Sequence, residues 1–181
     1  MRVVATNIPD VKIIEPEIFG DTRGFFMESW REDWFNQNVC ERHFVQDNHS
    51  KSYRGTLRGL HYQTENTQGK LARVVIGEVF DVAVDMRKTS ATFGQWVGVL
   101  LSAENQRQLW VPEGFAHGFY VTTETAECLY RCTDYYNPQA EHSVRWDDPE
   151  LAIKWPLLNG EMPSLSVKDK NAQWFKNAVT F

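Results

Sequence analysis

The chain has 181 residues, 42% hydrophobic and 24% charged, with 19 Lys and Arg against 24 Asp and Glu for a net charge of -5. That length suits one domain, residues 1–181, able to bury roughly 70% of its unfolded surface without help from disulfides or a structural metal. The negative balance argues against nucleic-acid binding, which needs a broad basic face, and no apolar run is long enough to span a membrane.

In chain order, residues 1–10 lack the apolar run of a secretory signal. Residues 8–19 form an extended, apolar-rich arm with Pro9 and Pro16, an arrangement suited to an edge strand. Ser29 is positioned to cap a short helix through residues 33–38, with Trp34 and Phe35 inward. Branched and aromatic residues then mark strands at 73–76, 79–85, 96–101, 119–121 and 128–133. Turn signals such as Gly77-Glu78 and Pro112-Glu113-Gly114 separate them. A second helix is expected near Asp169, using Ala172, Phe175 and Lys176. Many short strands at close spacing predict one β domain of the sandwich or barrel kind, in particular a jelly roll. Cys40, Cys128 and Cys132 are odd in number with no C-x-x-C pair, which reads as reduced thiols in a cytoplasmic protein.

Two short stretches carry candidate chemistry. Leu57-Arg58-Gly59-Leu60-His61-Tyr62-Gln63 is followed by Gln68-Gly69-Lys70-Leu71. Strand alternation would send Arg58 and His61 to different faces, but Gly59 permits a bulge or close backbone approach that re-aims one of them. The second stretch, Pro112 to Gly118, sets His117 among small residues. Its P-x-G-x-x-H pattern is the second half of a cupin signature, yet the first half here reads His61-Tyr62-Gln63 and lacks the second histidine. Two histidines, even with Glu65 nearby, fall short of the three or four donors of a stable divalent site, so a metal-free pocket is expected. Proton transfer at a carbon next to a carbonyl fits such a pocket. Histidine titrates near neutrality, a lysine can hold the enolate oxygen, and a tyrosine can return the proton from the opposite face. Tyr62, Tyr130, Tyr135 and Tyr136 are candidates for the last role, with Tyr130 favoured by its mid-strand position.

These residues fall within ordered blocks that resemble the dTDP-4-dehydrorhamnose 3,5-epimerase family nearly end to end. The blocks include Asp21 to Glu28, Gln46 to Ser50, Leu57 to Gln63, Gln68 to Leu71, Asp81 to Arg87, Pro112 to Gly118, Trp146 to Pro149 and Leu165 to Asp169. The resemblance implies a mainly β cupin or jelly-roll double-stranded β-helix with a few short helices, the last near the C-terminus. It implies cofactor-free inversion of C3 and C5 in a dTDP-linked 4-keto-6-deoxy sugar. His61 would be the base, Asp169 its partner, Lys70 the group on the C4 oxygen and Tyr130 the acid. Arg23, Glu28, Gln46, Asp47, Asn48, Arg58, His117, Glu141 and Lys168 match positions lining the substrate site, and Phe19 or Phe26 offers a surface for thymine. The family is a homodimer, so the arm, about residues 1–20, is expected to cross to the partner and to carry Arg23 and Glu28 into its pocket. Single-carbon epimerases of related deoxysugars share this framework, and a non-catalytic sugar-nucleotide-binding cupin is the alternative from another class.

Overall fold

A computed structural model describes residues 1–181. Two antiparallel sheets face each other. The first has six strands in the order β1 (Arg2–Ala5), β2 (Lys12–Glu15), β10 (Gln108–Val111), β7 (Lys70–Ile76), β12 (Thr125–Cys132) and β5 (Gln46–Tyr53). The second has five, in the order β13 (Glu141–Ser143), β6 (Leu57–Gln63), β11 (Phe115–Val121), β8 (Glu78–Asp85) and β9 (Trp96–Ser102). This is the expected mainly β, jelly-roll sandwich. No helix is long and apolar enough to cross a membrane.

Strand alternation fills the space between the sheets. Val74, Leu109 and Val111 meet Val79, Val97, Val99, Phe115, Phe119 and Val121 in the largest apolar cluster. Each fully buried side chain of this size contributes roughly 1.5–3 kcal/mol, and the ring of Tyr130 packs against the cluster's edge. The strand expected at 119–121 extends back to Phe115 because β11 is buried along its whole length between β6 and β8. Pro112 to Gly114 makes the turn before it.

Both helix expectations need correction. Helix α1 spans Glu32–Asn38, and its N-cap is Arg31, which makes no side-chain cap bond. Ser29 lies outside the helix, held there because its carbonyl accepts from Gln108 Nε2 at 2.8 Å. Helix α2 is one turn, Val167–Lys170, capped by Ser166. It stops early because the backbone of Gln173 is drawn into bonds with Ser143 and Arg145 beside β13. Phe175 and Lys176 belong to a separate short turn.

The N-terminal segment divides differently from the expected arm. Strands β1 and β2 form a hairpin, and β2 pairs with β10 of the same chain, Gln108 opposite Ile14. What stands away from both sheets is the next hairpin, β3 (Ile18–Asp21) with β4 (Gly24–Met27), whose two strands pair only with each other. Phe19, Phe25 and Phe26 are exposed along it.

Candidate active site

Strands β6 and β11 run side by side with His61 opposite His117. Gly59 makes their approach possible: a Cβ there would lie 2.5 Å from Gly118 Cα, and its φ of +114° belongs to glycine. The pairing slips between His117 and Phe119. As a result Arg58 and His61, three positions apart, reach the same cavity.

His61 Nε2 lies 2.6 Å from Asp169 Oδ1 on α2. The other carboxylate oxygen accepts the Ser166 hydroxyl at 2.7 Å, and Ser166 Oγ in turn accepts the Asp169 backbone N–H at 3.1 Å. Asp169 is 3% exposed. Burial by itself would raise its pKa, but the bonds from His61 and Ser166 outweigh that and hold the carboxyl below the ordinary range. An ionised Asp169 accepts the Nε2 proton, which leaves the lone pair on Nδ1.

Lys70 opens β7, between Val111 of β10 and Cys132 of β12. Burial depresses its pKa, opposed by Cys132, Glu141 and Asp81, and no side chain hydrogen-bonds its ammonium. Tyr130 is raised by burial first, and its hydroxyl likewise has no side-chain partner. His61, on β6 of the five-stranded sheet, and Lys70 and Tyr130, on β7 and β12 of the six-stranded sheet, line both of two lobes, of about 220 and 340 Å³. A base, a cation and a proton donor therefore converge on one space, the latter two uncommitted.

The smaller lobe also contains Arg58 and His117. His117 Nε2 lies 2.7 Å from the buried Asp81 Oδ1. The larger lobe contains Gln46, Asn48, Glu141 and Lys168. Lys168 is ion-paired with Glu141, whose other oxygen accepts the Tyr136 hydroxyl at 2.7 Å. Burial would raise Glu141, but Lys168 and Tyr136 hold it below the usual range.

Five expected residues lie elsewhere in the chain's own fold. Asp47 points to the opposite face of β5 from Gln46 and Asn48, as period-two geometry requires, and meets Arg131 at 3.2 Å. Arg23 pairs with Asp21 on the projecting hairpin, Glu28 with Arg31, and Phe19 and Phe26 are 57% and 70% exposed. Tyr62, one of the tyrosines weighed as the acid, is committed. Its hydroxyl donates to the Val179 carbonyl at 2.6 Å, and burial pushes it up to about 12.

Sequence reasoning missed Asp81, Ser50 and Ser166 as parts of the site. Asp81 had a signal, a lone charge inside the apolar run 79–84. Ser166-x-x-Asp169 had another, the spacing of a reciprocal cap. Ser50 had none. No three His, Cys, Asp or Glu side chains converge closely enough to hold a metal ion.

A family model described as dTDP-4-dehydrorhamnose 3,5-epimerase matches residues 5–177. A Neisseria gonorrhoeae protein with that name is 60% identical over all of this chain, which spans 56% of that protein's length. The Salmonella typhimurium protein of the same name is 56% identical, with 99% of this chain and 98% of that one covered. Among solved structures, the Legionella pneumophila dTDP-6-deoxy-D-glucose-3,5-epimerase in complex with dTDP-4-keto-L-rhamnose superposes with a TM-score of 0.93 at 54% identity. It covers 97% of this chain and 93% of that one.

Proposed function

The chain belongs to the dTDP-4-dehydrorhamnose 3,5-epimerase family, a family of isomerases, and we propose that it inverts C3 and C5 of dTDP-4-dehydro-6-deoxy-D-glucose to give dTDP-4-dehydro-L-rhamnose. The observation that carries this reading is the uncommitted ammonium of Lys70 and hydroxyl of Tyr130, from one sheet, lining the same cavity as the His61–Asp169 pair, whose histidine belongs to the other.

His61 takes the proton from the carbon beside the C4 ketone. The C–H electron pair becomes the enolate double bond, and the carbonyl pair moves onto the C4 oxygen, where Lys70 meets the new negative charge. Tyr130 then gives its proton to the opposite face of that carbon, the enolate collapses to the ketone, and the configuration is inverted. The phenolate regains a proton and His61 releases one to water, so the cycle closes without a cofactor. Burial of Tyr130 keeps the phenol protonated until the enolate asks for the proton. C3 and C5 flank one ketone, so a single set of groups serves both after the sugar ring turns over.

Within the chain, the cations for the diphosphate are Arg58 and, once its pairing with Glu141 opens, Lys168. Gln46, Asn48 and His117 supply neutral polar contacts. The exposed ring of Tyr136 lines the larger lobe and offers the base a stacking surface. In a homodimer the free β3–β4 hairpin would bring Phe19, Arg23, Phe26 and Glu28 to the neighbouring pocket, and the exposure of its aromatic residues supports that role. The three unpaired thiols suit the reducing cytoplasm.

The test is turnover of the dTDP-linked 4-keto sugar in heavy water. Deuterium should enter at both C3 and C5, and His61→Ala should abolish both. Label at one carbon only would make the protein a single-carbon epimerase, and no label would leave a binding protein.

A further inference from the structure

Strand β5 turns four polar side chains inward, Gln46, Asn48, Ser50 and Ser52, opposite Cys132, Tyr130, Cys128 and Ala126 of β12. Three of them are held. Gln46 Nε2 donates to Asn48 Oδ1 at 3.1 Å, Asn48 Nδ2 to Cys132 Sγ at 3.5 Å, and Arg58 Nε to Ser52 Oγ at 2.9 Å. Ser50 is the exception: its Oγ is buried and has no hydrogen-bond partner. Native interiors keep very few such groups, because a desolvated hydroxyl without a partner is destabilising. This one lines the smaller lobe beside Arg58, His117 and Tyr130.

We infer that Ser50 is a substrate-binding residue whose hydroxyl hydrogen-bonds an oxygen of the sugar ring or its substituents. The inference rests on the nucleotide-sugar reading of the same cavity. Sugar is favoured over phosphate on chemical grounds. A serine hydroxyl both donates and accepts, which matches a sugar hydroxyl, whereas phosphate oxygens only accept and have the Arg58 guanidinium at hand. Position agrees, since Ser50 is two residues along β5 from Asn48, the neighbour of Tyr130.

Calorimetric titration of dTDP-glucose and of dTDP into the wild type and Ser50→Ala tests this without any need for turnover. The variant removes one oxygen and no methyl. The dTDP-glucose Kd should rise about 3- to 10-fold, as for one lost hydrogen bond, with the dTDP Kd unchanged and Tm equal or higher. Equal weakening of both ligands would move the contact to the nucleotide and overturn the assignment. No weakening of either would mean that water alone satisfies the hydroxyl, and a lower Tm would mean that Ser50 serves the fold. A wild type that binds neither ligand would sink the nucleotide-sugar reading itself, and the Ser50 contact with it.

Discussion

Replacing Asp169 by Asn isolates the contribution of one charge. His61 Nε2 and Asp169 Oδ1 are 2.6 Å apart and the carboxylate is 3% exposed. In the proposed reaction His61 takes a proton from carbon, and an imidazolium then appears against that carboxylate. With charge centres about 4 Å apart and an effective dielectric of about 20, the attraction is about 4 kcal/mol, or roughly 1,000-fold in rate. The amide of Asn keeps the shape, leaves the backbone N–H bonded to Ser166, and can still accept one hydrogen bond, so part of the effect survives. Deuterium wash-in at C3 and C5 should therefore fall by about 100- to 1,000-fold. The dTDP Kd should stay within about twofold and Tm within a few degrees, because the carboxylate is 3% exposed and its side-chain partners are His61 and Ser166, which the amide can still meet. Wash-in within threefold of the wild type would refute the argument, since it would mean that no positive charge develops on His61 in the rate-limiting step.

The other groups give distinct signatures. Tyr130→Phe removes only the returning proton, so epimerised product should fall more than 100-fold while His61 still exchanges label into recovered substrate; mass spectrometry with NMR of the sugar separates the two, and equal losses would argue against opposite-face protonation. Lys70→Met should lower kcat by about 100- to 1,000-fold, the usual loss for an oxyanion donor. It should also raise Tm by calorimetry, because it removes a buried ammonium that no side chain hydrogen-bonds and whose pKa burial depresses. Asp85 is a structural counterpart: burial would raise it, but hydrogen bonds from Arg87, Ser90 and Thr92 hold it at about 2. Against an ordinary value of about 3.9 in the unfolded chain, this contributes about 2.5 kcal/mol above pH 4, lost as pH falls through about 2. Urea denaturation of Asp85→Asn should show that deficit at pH 7 and a smaller one near pH 2; a constant deficit would refute the linkage.

Local patterning exposed most of the barrel because each core strand carries its own signal in branched and aromatic residues. It also exposed Gly59, whose freedom lets β6 and β11 approach and carries Arg58 and His61 into one cavity. Three things were not legible locally. The pairing of His61 with Asp169 joins positions 108 residues apart and exists only because α2 returns beneath β6. The early stop of α2 depends on Gln173 joining β13, a tertiary contact that overrides an acceptable helical spacing. Asp47 illustrates the reverse: family blocks treat Gln46, Asp47 and Asn48 alike, whereas the pleat of β5 sends the middle one to the other face of this chain's sheet.

The distribution of satisfied and unsatisfied polar groups argues for a reactive cavity independently of kinship. Asp81, Asp85, Asp148 and Asp169 are all buried, and every one has donors: His117, then Arg87 with Ser90 and Thr92, then backbone N–H groups of Glu150 and Phe175, then His61 with Ser166. A chain that satisfies its interior this thoroughly nonetheless leaves the Lys70 ammonium, the Tyr130 hydroxyl and the Ser50 hydroxyl without side-chain partners in one cavity. One further buried polar atom lacks a partner, Arg73 Nη1, and it lines a neighbouring cavity that shares Asn48 and Tyr130 with this one. The concentration of such groups is expected where catalysis depends on interactions made only as charge develops, because donors already paired in the free protein would have to break those bonds to reach an enolate. The free protein is thereby left less stable than a fully paired interior would make it, and the apolar clusters between and beside the strands offset the difference.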